Sequence, residues 1–111
     1  MQTSKAKPFR VAILDDARTT LHLLTRILEQ SVDCRTFSFS DGNSLLASEA
    51  IVDLYLLDIR MPGINGIDVC RILRGRPDSS NVPIICLSAG KEPETRLKAL
   101  RAGAIDFVDK P

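Results

Sequence analysis

A chain of 111 residues, 44% of them hydrophobic, is the right size for one domain with a buried core. Fifteen basic against fourteen acidic residues leave a formal net charge of +1, which excludes a chain held as a whole on nucleic acid or on a membrane by its charge. Cys34, Cys70 and Cys86 form no C-x-x-C pair, and no apolar run approaches the roughly 18 residues of a membrane span, so a soluble, unexported, cytoplasmic protein with reduced thiols is expected.

Met1–Pro8 is polar and aperiodic and ends in proline, which predicts a loose tail before a single domain over residues 9–111. Val11–Ala12–Ile13–Leu14 is a continuous apolar run, the pattern of a strand covered on both faces, and it stops at Asp15–Asp16. From Ala17 the period turns helical: Ala17, Leu21, Leu24 and Leu28 share a face, Leu23 and Ile27 widen it, and Asp16 is placed to cap it. Cys34–Phe39 alternates as an edge strand does, Asp41–Gly42 ends it, and a short helix is expected from about Ser44 to Ala50.

Leu54–Tyr55–Leu56–Leu57–Asp58 is another buried strand and delivers one acid to its carboxyl end. A Pro62–Gly63 loop leads to a helix near Gly66–Leu73 with Val69, Cys70 and Leu73 inward, stopped by Gly75 and Pro77. Val82–Leu87 reads as a strand that delivers Ser88. A fourth helix starts near Pro93 and ends before Gly103, with a thin apolar face of Leu97 and Leu100. Ile105–Asp109 reads as the last strand, followed by Lys110–Pro111.

Five strands alternating with four helices predict an α/β fold with a parallel sheet, right-handed crossovers and helices on both faces. Ligand sites in such sheets lie outside the carboxyl ends of the strands. That rule gathers Asp15, Asp16, Asp58, Ser88 and Lys110, so that four of the five strands end in a group able to do chemistry. Three carboxylates in one crevice repel each other and call for a cation. Hard oxygen ligands suit Mg²⁺, and Lys110 adds a fixed positive charge, an arrangement suited to phosphate. Asp58 would then attack phosphorus without a general base, with Lys110 and Ser88 on the remaining oxygens.

Each residue alone has a plainer reading. Asp15–Asp16 fits a turn and helix cap, Ser88 a turn hydroxyl, Lys110 a surface charge, Phe107 core, and Asp58 a cap on its own loop. Residue pattern alone leaves a metal–phosphate site and some other crevice both open.

From Phe9 to Pro111 the chain resembles the receiver domain of bacterial two-component response regulators. The resemblance is carried by Ile13–Leu14–Asp15–Asp16, by Leu57–Asp58–Ile59–Arg60–Met61–Pro62–Gly63–Ile64–Asn65–Gly66, by Ile85–Cys86–Leu87–Ser88–Ala89 and by Gly103–Ala104–Ile105–Asp106–Phe107–Val108–Asp109–Lys110–Pro111. It implies a flavodoxin-like doubly wound five-stranded parallel sheet of order 2-1-3-4-5. It further implies that Asp58 accepts a phosphoryl group from a sensor histidine kinase or phosphotransfer protein, or from a small donor such as acetyl phosphate. Asp15, Asp16, Asp58 and the backbone carbonyl of Arg60 would ligate Mg²⁺ or Mn²⁺. Ser88 matches the switch hydroxyl, Phe107 the switch aromatic, and Lys110 the lysine of the motif, with a cis bond to Pro111. Arg60 and Gly90 stand where the family varies, so the resemblance does not set the lifetime of the phosphoaspartate. The switching face would be the fourth helix with the last strand, and Arg96, Lys98 and Arg101 form a candidate partner face whose plain reading is a solvated basic surface. An output domain in cis or in trans and a homodimer are expected partners; direct nucleic-acid or membrane binding is not.

Two rival classes share these residues. A phosphatase or phosphotransferase with an aspartyl-phosphate intermediate also needs the strand-end acid, but the haloacid-dehalogenase-like pattern wants a second acid two residues on, where Arg60 stands. A degenerate receiver acting as a constitutive interaction domain would not need all five site residues. The family's domain carries a fifth helix after the Lys–Pro turn and this sequence has none, so the sheet face shared with the first helix is expected to expose apolar surface, as in a receiver cut from a longer protein or one that borrows a helix by dimerisation or swapping. Extending the chain by one helix is expected to raise its melting temperature and reduce self-association in sedimentation, and no change in either overturns that expectation.

Overall fold

A computed structural model describes every residue except 1–7, 32, 89, 91 and 111. Most of the expected tail and the Lys110–Pro111 bond therefore lie outside the described residues. The elements run β1 (Phe9–Leu14), α1 (Arg18–Ser31), β2 (Cys34–Phe39), α2 (Gly42–Ala47), β3 (Leu54–Asp58), α3 (Gly66–Arg74), β4 (Ile84–Ser88), α4 (Pro93–Arg101) and β5 (Asp106–Asp109). The five strands form one parallel sheet in the order β2-β1-β3-β4-β5, the expected flavodoxin-like order.

The apolar runs form the central strands because their side chains are needed on both sides of the sheet. On one side Ala12, Leu14, Leu57, Cys86 and Phe107 pack with Leu45 of α2, Val69, Cys70 and Leu73 of α3 and Ala99 of α4. On the other, Val11, Ile13, Leu56 and Leu87 lie under Leu21, Leu24 and Leu28 of α1. Leu23, Ile27 and Val108 remain exposed on that second side. The thiols of Cys70 and Cys86 are buried and unpaired.

Register fixes where the strands stop together. Leu14 pairs with Leu57, Asp58 with Leu87 and Ser88 with Asp109, so the residues that follow β1, end β3, end β4 and follow β5 meet at one edge.

Several local expectations are corrected. The helix expected over Ser44–Ala50 starts at Gly42, because Asp41 is its cap: Asp41 Oδ1 accepts the Ser44 N–H at 2.8 Å and Oδ2 the Ser44 hydroxyl at 2.9 Å. Asp16 does not cap α1; Asp15 Oδ1 accepts the Ala17 N–H at 2.8 Å and the helix begins at Arg18. β4 starts at Ile84 rather than Val82, and β5 at Asp106 rather than at the exposed Ile105. In α4 the inward residue is Ala99, fully buried, while Leu97 and Leu100 are 46% and 44% exposed. Ala99 joins the core cluster that holds Val69, Cys70 and Phe107.

That carboxyl end is anchored by Arg74. Its guanidinium donates to Gly103 O through Nε (2.9 Å) and Nη2 (2.8 Å), and through Nη1 to Ser79, Ser80 and Val82 carbonyls at 3.3, 3.2 and 2.6 Å. The Cys70 thiol adds a bond to Ala102 O at 3.4 Å. A rigid planar fork can satisfy two loops at once in a way an ammonium cannot. Arg74→Ala is expected to destabilise the fold by ~2–3 kcal/mol in urea unfolding, and Arg74→Lys to recover less than half of it, because carbonyls lose donors they cannot replace.

Candidate functional site

The strand ends carry four charged groups into one crevice. Asp15 and Asp58 are buried, at 0% and 2% exposure, while Asp16 is exposed at the rim. One carboxylate oxygen from each of Asp15, Asp16 and Asp58 lies within 4.8 Å of the others. Lys110 reaches in from the end of β5, its Nζ 2.9 Å from Asp15 Oδ2 and 3.3 Å from Asp58 Oδ2. Its backbone is fixed in turn, because the Lys110 N–H donates to Ser88 O at 2.9 Å and extends the β4–β5 ladder.

Asp58 is also held from below. A side chain on Gly66, the first residue of α3, would run into the Asp58 carbonyl, so glycine lets α3 start directly against β3. Asn65 Oδ1 caps that helix by accepting the Asp68 N–H at 2.9 Å. The Arg60 N–H makes a long bond to Asp58 Oδ1, 3.3 Å.

Three carboxylates face one ammonium, and the balance is visible in the acids. Burial pushes the Asp58 carboxyl up to about 6, the nearby Asp15 charge adds to the rise, and Lys110 only partly offsets it. Burial lowers the Lys110 ammonium, but the Asp15 and Asp58 carboxylates outweigh it and the net displacement is upward. Asp15 Oδ2 is buried and accepts no hydrogen bond of good geometry, even with Lys110 at ion-pair distance. An all-oxygen donor set, an unbalanced negative charge and an orphaned buried oxygen together fit a hard divalent cation.

Ser88 sits on the neighbouring strand end, 1% exposed, and its Oγ accepts the Gly90 N–H at 3.1 Å. The structure therefore gathers Asp15, Asp16, Asp58 and Lys110, and places Ser88 beside them with its hydroxyl tied to its own loop. Phe107 is turned inward at 7% exposure, with the Arg96 guanidinium 4.8 Å from its ring centroid. Arg96 also lies 3.9 Å from Asp109. All three residues expected to form a basic partner face are exposed, and Arg96 alone of them also contacts β5, through Phe107 and Asp109.

Two functional contacts escaped the sequence. Arg60 Nη2 is 2.7 Å from Glu92 Oε1, linking the loop after β3 to the N-cap residue of α4. The sequence signal for Glu92 was its place before Pro93, at the head of a helix, but nothing marked Arg60 as its partner. The Arg96–Phe107 stacking had no signal beyond helical spacing.

This fold and strand-end constellation define a response regulator receiver domain, and the chain matches that family over residues 11–111. It belongs to the family. It is 36% identical over 103 residues to the phosphate regulon transcriptional regulatory protein PhoB of Rhizobium meliloti, covering 92% of this chain and 45% of that protein. It is 39% identical over 105 residues to the DNA-binding response regulator MtrA of Mycolicibacterium smegmatis, covering 92% and 44%. Among solved structures, a putative response regulator from Chloroflexus aurantiacus superposes with a TM-score of 0.89 at 27% identity, covering 95% of this chain and 87% of that one. The chain spans less than half the length of these two curated relatives.

A carboxyl raised to about 6 when folded, against about 3.9 unfolded, is protonated more readily in the folded chain, so stability without metal falls as pH rises from about 4 through about 6. Asp58→Asn removes that burden. In EDTA at pH 7.5 it is expected to stabilise the protein by ~1–2 kcal/mol in urea unfolding, part of the ~3 kcal/mol the full displacement represents, with the gain shrinking towards zero at pH 4.5. Destabilisation by Asp58→Asn at pH 7.5 would overturn this account of the site.

Proposed function

We propose that Asp58 is the phosphoacceptor of this receiver domain, and that phosphorylation switches the face formed by α4 and β5. The single observation that carries the reading is a buried carboxylate at a strand end, bracketed by Lys110 and by the two acids that follow β1. One Asp58 carboxylate oxygen attacks phosphorus, forming the acyl phosphate O–P bond. The P–N bond of a phosphohistidine breaks, and the imidazole leaves with its electron pair; with acetyl phosphate a P–O bond breaks and acetate leaves. No base is needed once Asp58 is ionised.

Asp15, Asp16, Asp58 and the Arg60 carbonyl would hold Mg²⁺ or Mn²⁺, which neutralises the charge of the phosphoryl oxygens when bound. Lys110 already sits between two carboxylates and has only to turn one N–H towards a phosphoryl oxygen. Ser88 uses a lone pair for the Gly90 bond, so its hydroxyl proton stays free to donate to another phosphoryl oxygen. Phe107 is already turned inward while Ser88 is tied to Gly90, and its rotamer would report a movement of Ser88. The domain, residues 9–111, promotes its own phosphorylation and dephosphorylation and is not otherwise an enzyme. Arg60, not a second acid, stands two residues after Asp58, which counts against hydrolase chemistry.

Its donor is a sensor histidine kinase or phosphotransfer protein in the cytoplasm, and its readout an output domain in cis or in trans, or a homodimer. The names of the relatives as transcriptional and DNA-binding regulators support an output domain that binds DNA, while this domain itself does not.

Incubation with Mg²⁺ and acetyl phosphate is expected to add one phosphoryl group by intact mass, an addition that does not occur when EDTA is present from the start. Asp58→Asn should stay unmodified. Modification that survives the substitution overturns the assignment, and rapid turnover of assorted phosphate esters would instead favour an aspartyl-phosphate hydrolase.

A further inference from the structure

The two ends of α4 are held by unlike means. At its carboxyl end Ala99 and Ala102 are buried, Cys70 bonds Ala102 O and Arg74 bonds Gly103 O. At its amino end, Glu92, Pro93, Glu94, Arg96, Leu97 and Lys98 are all exposed. Glu92 is the N-cap residue, yet its side chain makes no cap hydrogen bond. Its carboxylate lies instead on Arg60, two residues after Asp58. That guanidinium rests over Gly90: a methyl there would lie 3.1 Å from Arg60 Nη2 and 3.8 Å from Ser88 Oγ. Arg60 therefore stands beside the crevice with its backbone N–H on the acceptor carboxylate and its charge on the head of α4.

We infer that Arg60 is the charge sensor of this domain: it exchanges Glu92 for phosphoryl oxygens on Asp58 and so releases the amino end of α4, which swings about its Arg74-anchored carboxyl end. The inference deepens, and rests on, the assignment of Asp58 as phosphoacceptor.

The exchange is favourable on charge. Both partners of the resting pair are 64% exposed, so the pair is screened and contributes little net stability. A phosphoryl group brings additional negative charge and several strong acceptor oxygens, and guanidinium binds such oxygens in bidentate fashion better than it binds an exposed carboxylate. A weak resting contact is what makes the exchange possible, since a ligand shifts a conformational equilibrium only by its differential affinity for the two states. The released segment has few apolar contacts to hold it, and Arg96, whose guanidinium covers Phe107, travels with it. Uncovering that ring couples the charge at Asp58 to the aromatic on β5.

Hydrogen–deuterium exchange of amides 95–98 tests this, on the full chain with Mg²⁺ and with or without acetyl phosphate, phosphorylation being followed by intact mass. In the wild type phosphorylation is expected to speed that exchange by ~2–5-fold, the range that loss of one exposed ion pair can account for, while amides near the Arg74 anchor change little. Glu92→Gln should take up phosphate as the wild type does, exchange fast at amides 95–98 before phosphorylation, and gain nothing further from it. Arg60→Gln and the double variant Arg60→Gln/Glu92→Gln should match Glu92→Gln in resting exchange, and Arg60→Lys should restore part of the slow resting state. A full phosphorylation-dependent change in Glu92→Gln, equal to the wild type, overturns this inference alone. Wild-type protein that takes up no phosphoryl group overturns the phosphoacceptor assignment and this inference with it.

Discussion

The structure depends on one unequal arrangement of charge: Lys110 shared between the buried carboxylates of Asp15 and Asp58, with Asp16 at the rim. These groups come from β1, β3 and β5, which are not adjacent in the chain. They meet only because a parallel sheet brings its carboxyl ends to one edge and because the strands stop in register there. A slip of one residue in β5 would reverse which face Phe107 packs against and withdraw Lys110 from the crevice. The buried side chains of Leu14, Leu57 and Cys86 thus do more than stabilise the sheet. By fixing register they fix the distances among charges.

The same constraint explains why α4 is packed so lightly. A helix held over the sheet by a large apolar face would resist movement, since each buried methylene contributes ~0.8 kcal/mol. Here Ala99 and Ala102 face in and Leu97 and Leu100 face out, so the burial that fastens α4 is small and lies towards its carboxyl end. Polar contacts complete the division. Arg74 satisfies carbonyls from two loops at the far end of the sheet, where nothing needs to move. At the site end the contacts are exposed ion pairs, which are individually weak.

Much of this was legible in the sequence, for identifiable reasons. Val11–Leu14 and Leu54–Asp58 were readable because strands buried on both faces must be continuously apolar, and the acids at their ends because a buried run that stops on a charge is conspicuous. α3 was readable because Val69, Cys70 and Leu73 keep helical spacing and Gly75 ends them. The misreadings have causes too. Asp41–Gly42 reads as the end of a strand, and Asp41 also caps the next helix. Leu97 and Leu100 outrank Ala99 in hydrophobicity, yet it is Ala99 that joins the core, because hydrophobicity alone does not set the rotation of so short an apolar pattern. Asp16 stands where a helix cap is expected, but the local bond is made by Asp15, whose Oδ1 accepts the Ala17 N–H.

What the sequence could not carry are contacts with neither period nor fixed spacing. Arg60 and Glu92 are 32 residues apart, and long exposed side chains can reach many partners. Arg74 bonds to backbone carbonyls, which every sequence offers equally. Both contacts nonetheless follow from what was legible. A receiver of charge at the edge of a rigid sheet can influence its surroundings only through groups that respond to charge and are not already fixed by packing. Among the described residues beside Asp58, Lys110 is held by two carboxylates and by the β5 ladder. Arg60 combines proximity to Asp58 with a weakly held counter-ion at the head of a lightly packed helix. On the proposal that Asp58 is phosphorylated, the charge imbalance at the strand ends and the lightly packed amino end of α4 are two sides of one arrangement: the first would create a force when the charge changes, and the second would let the structure yield to it.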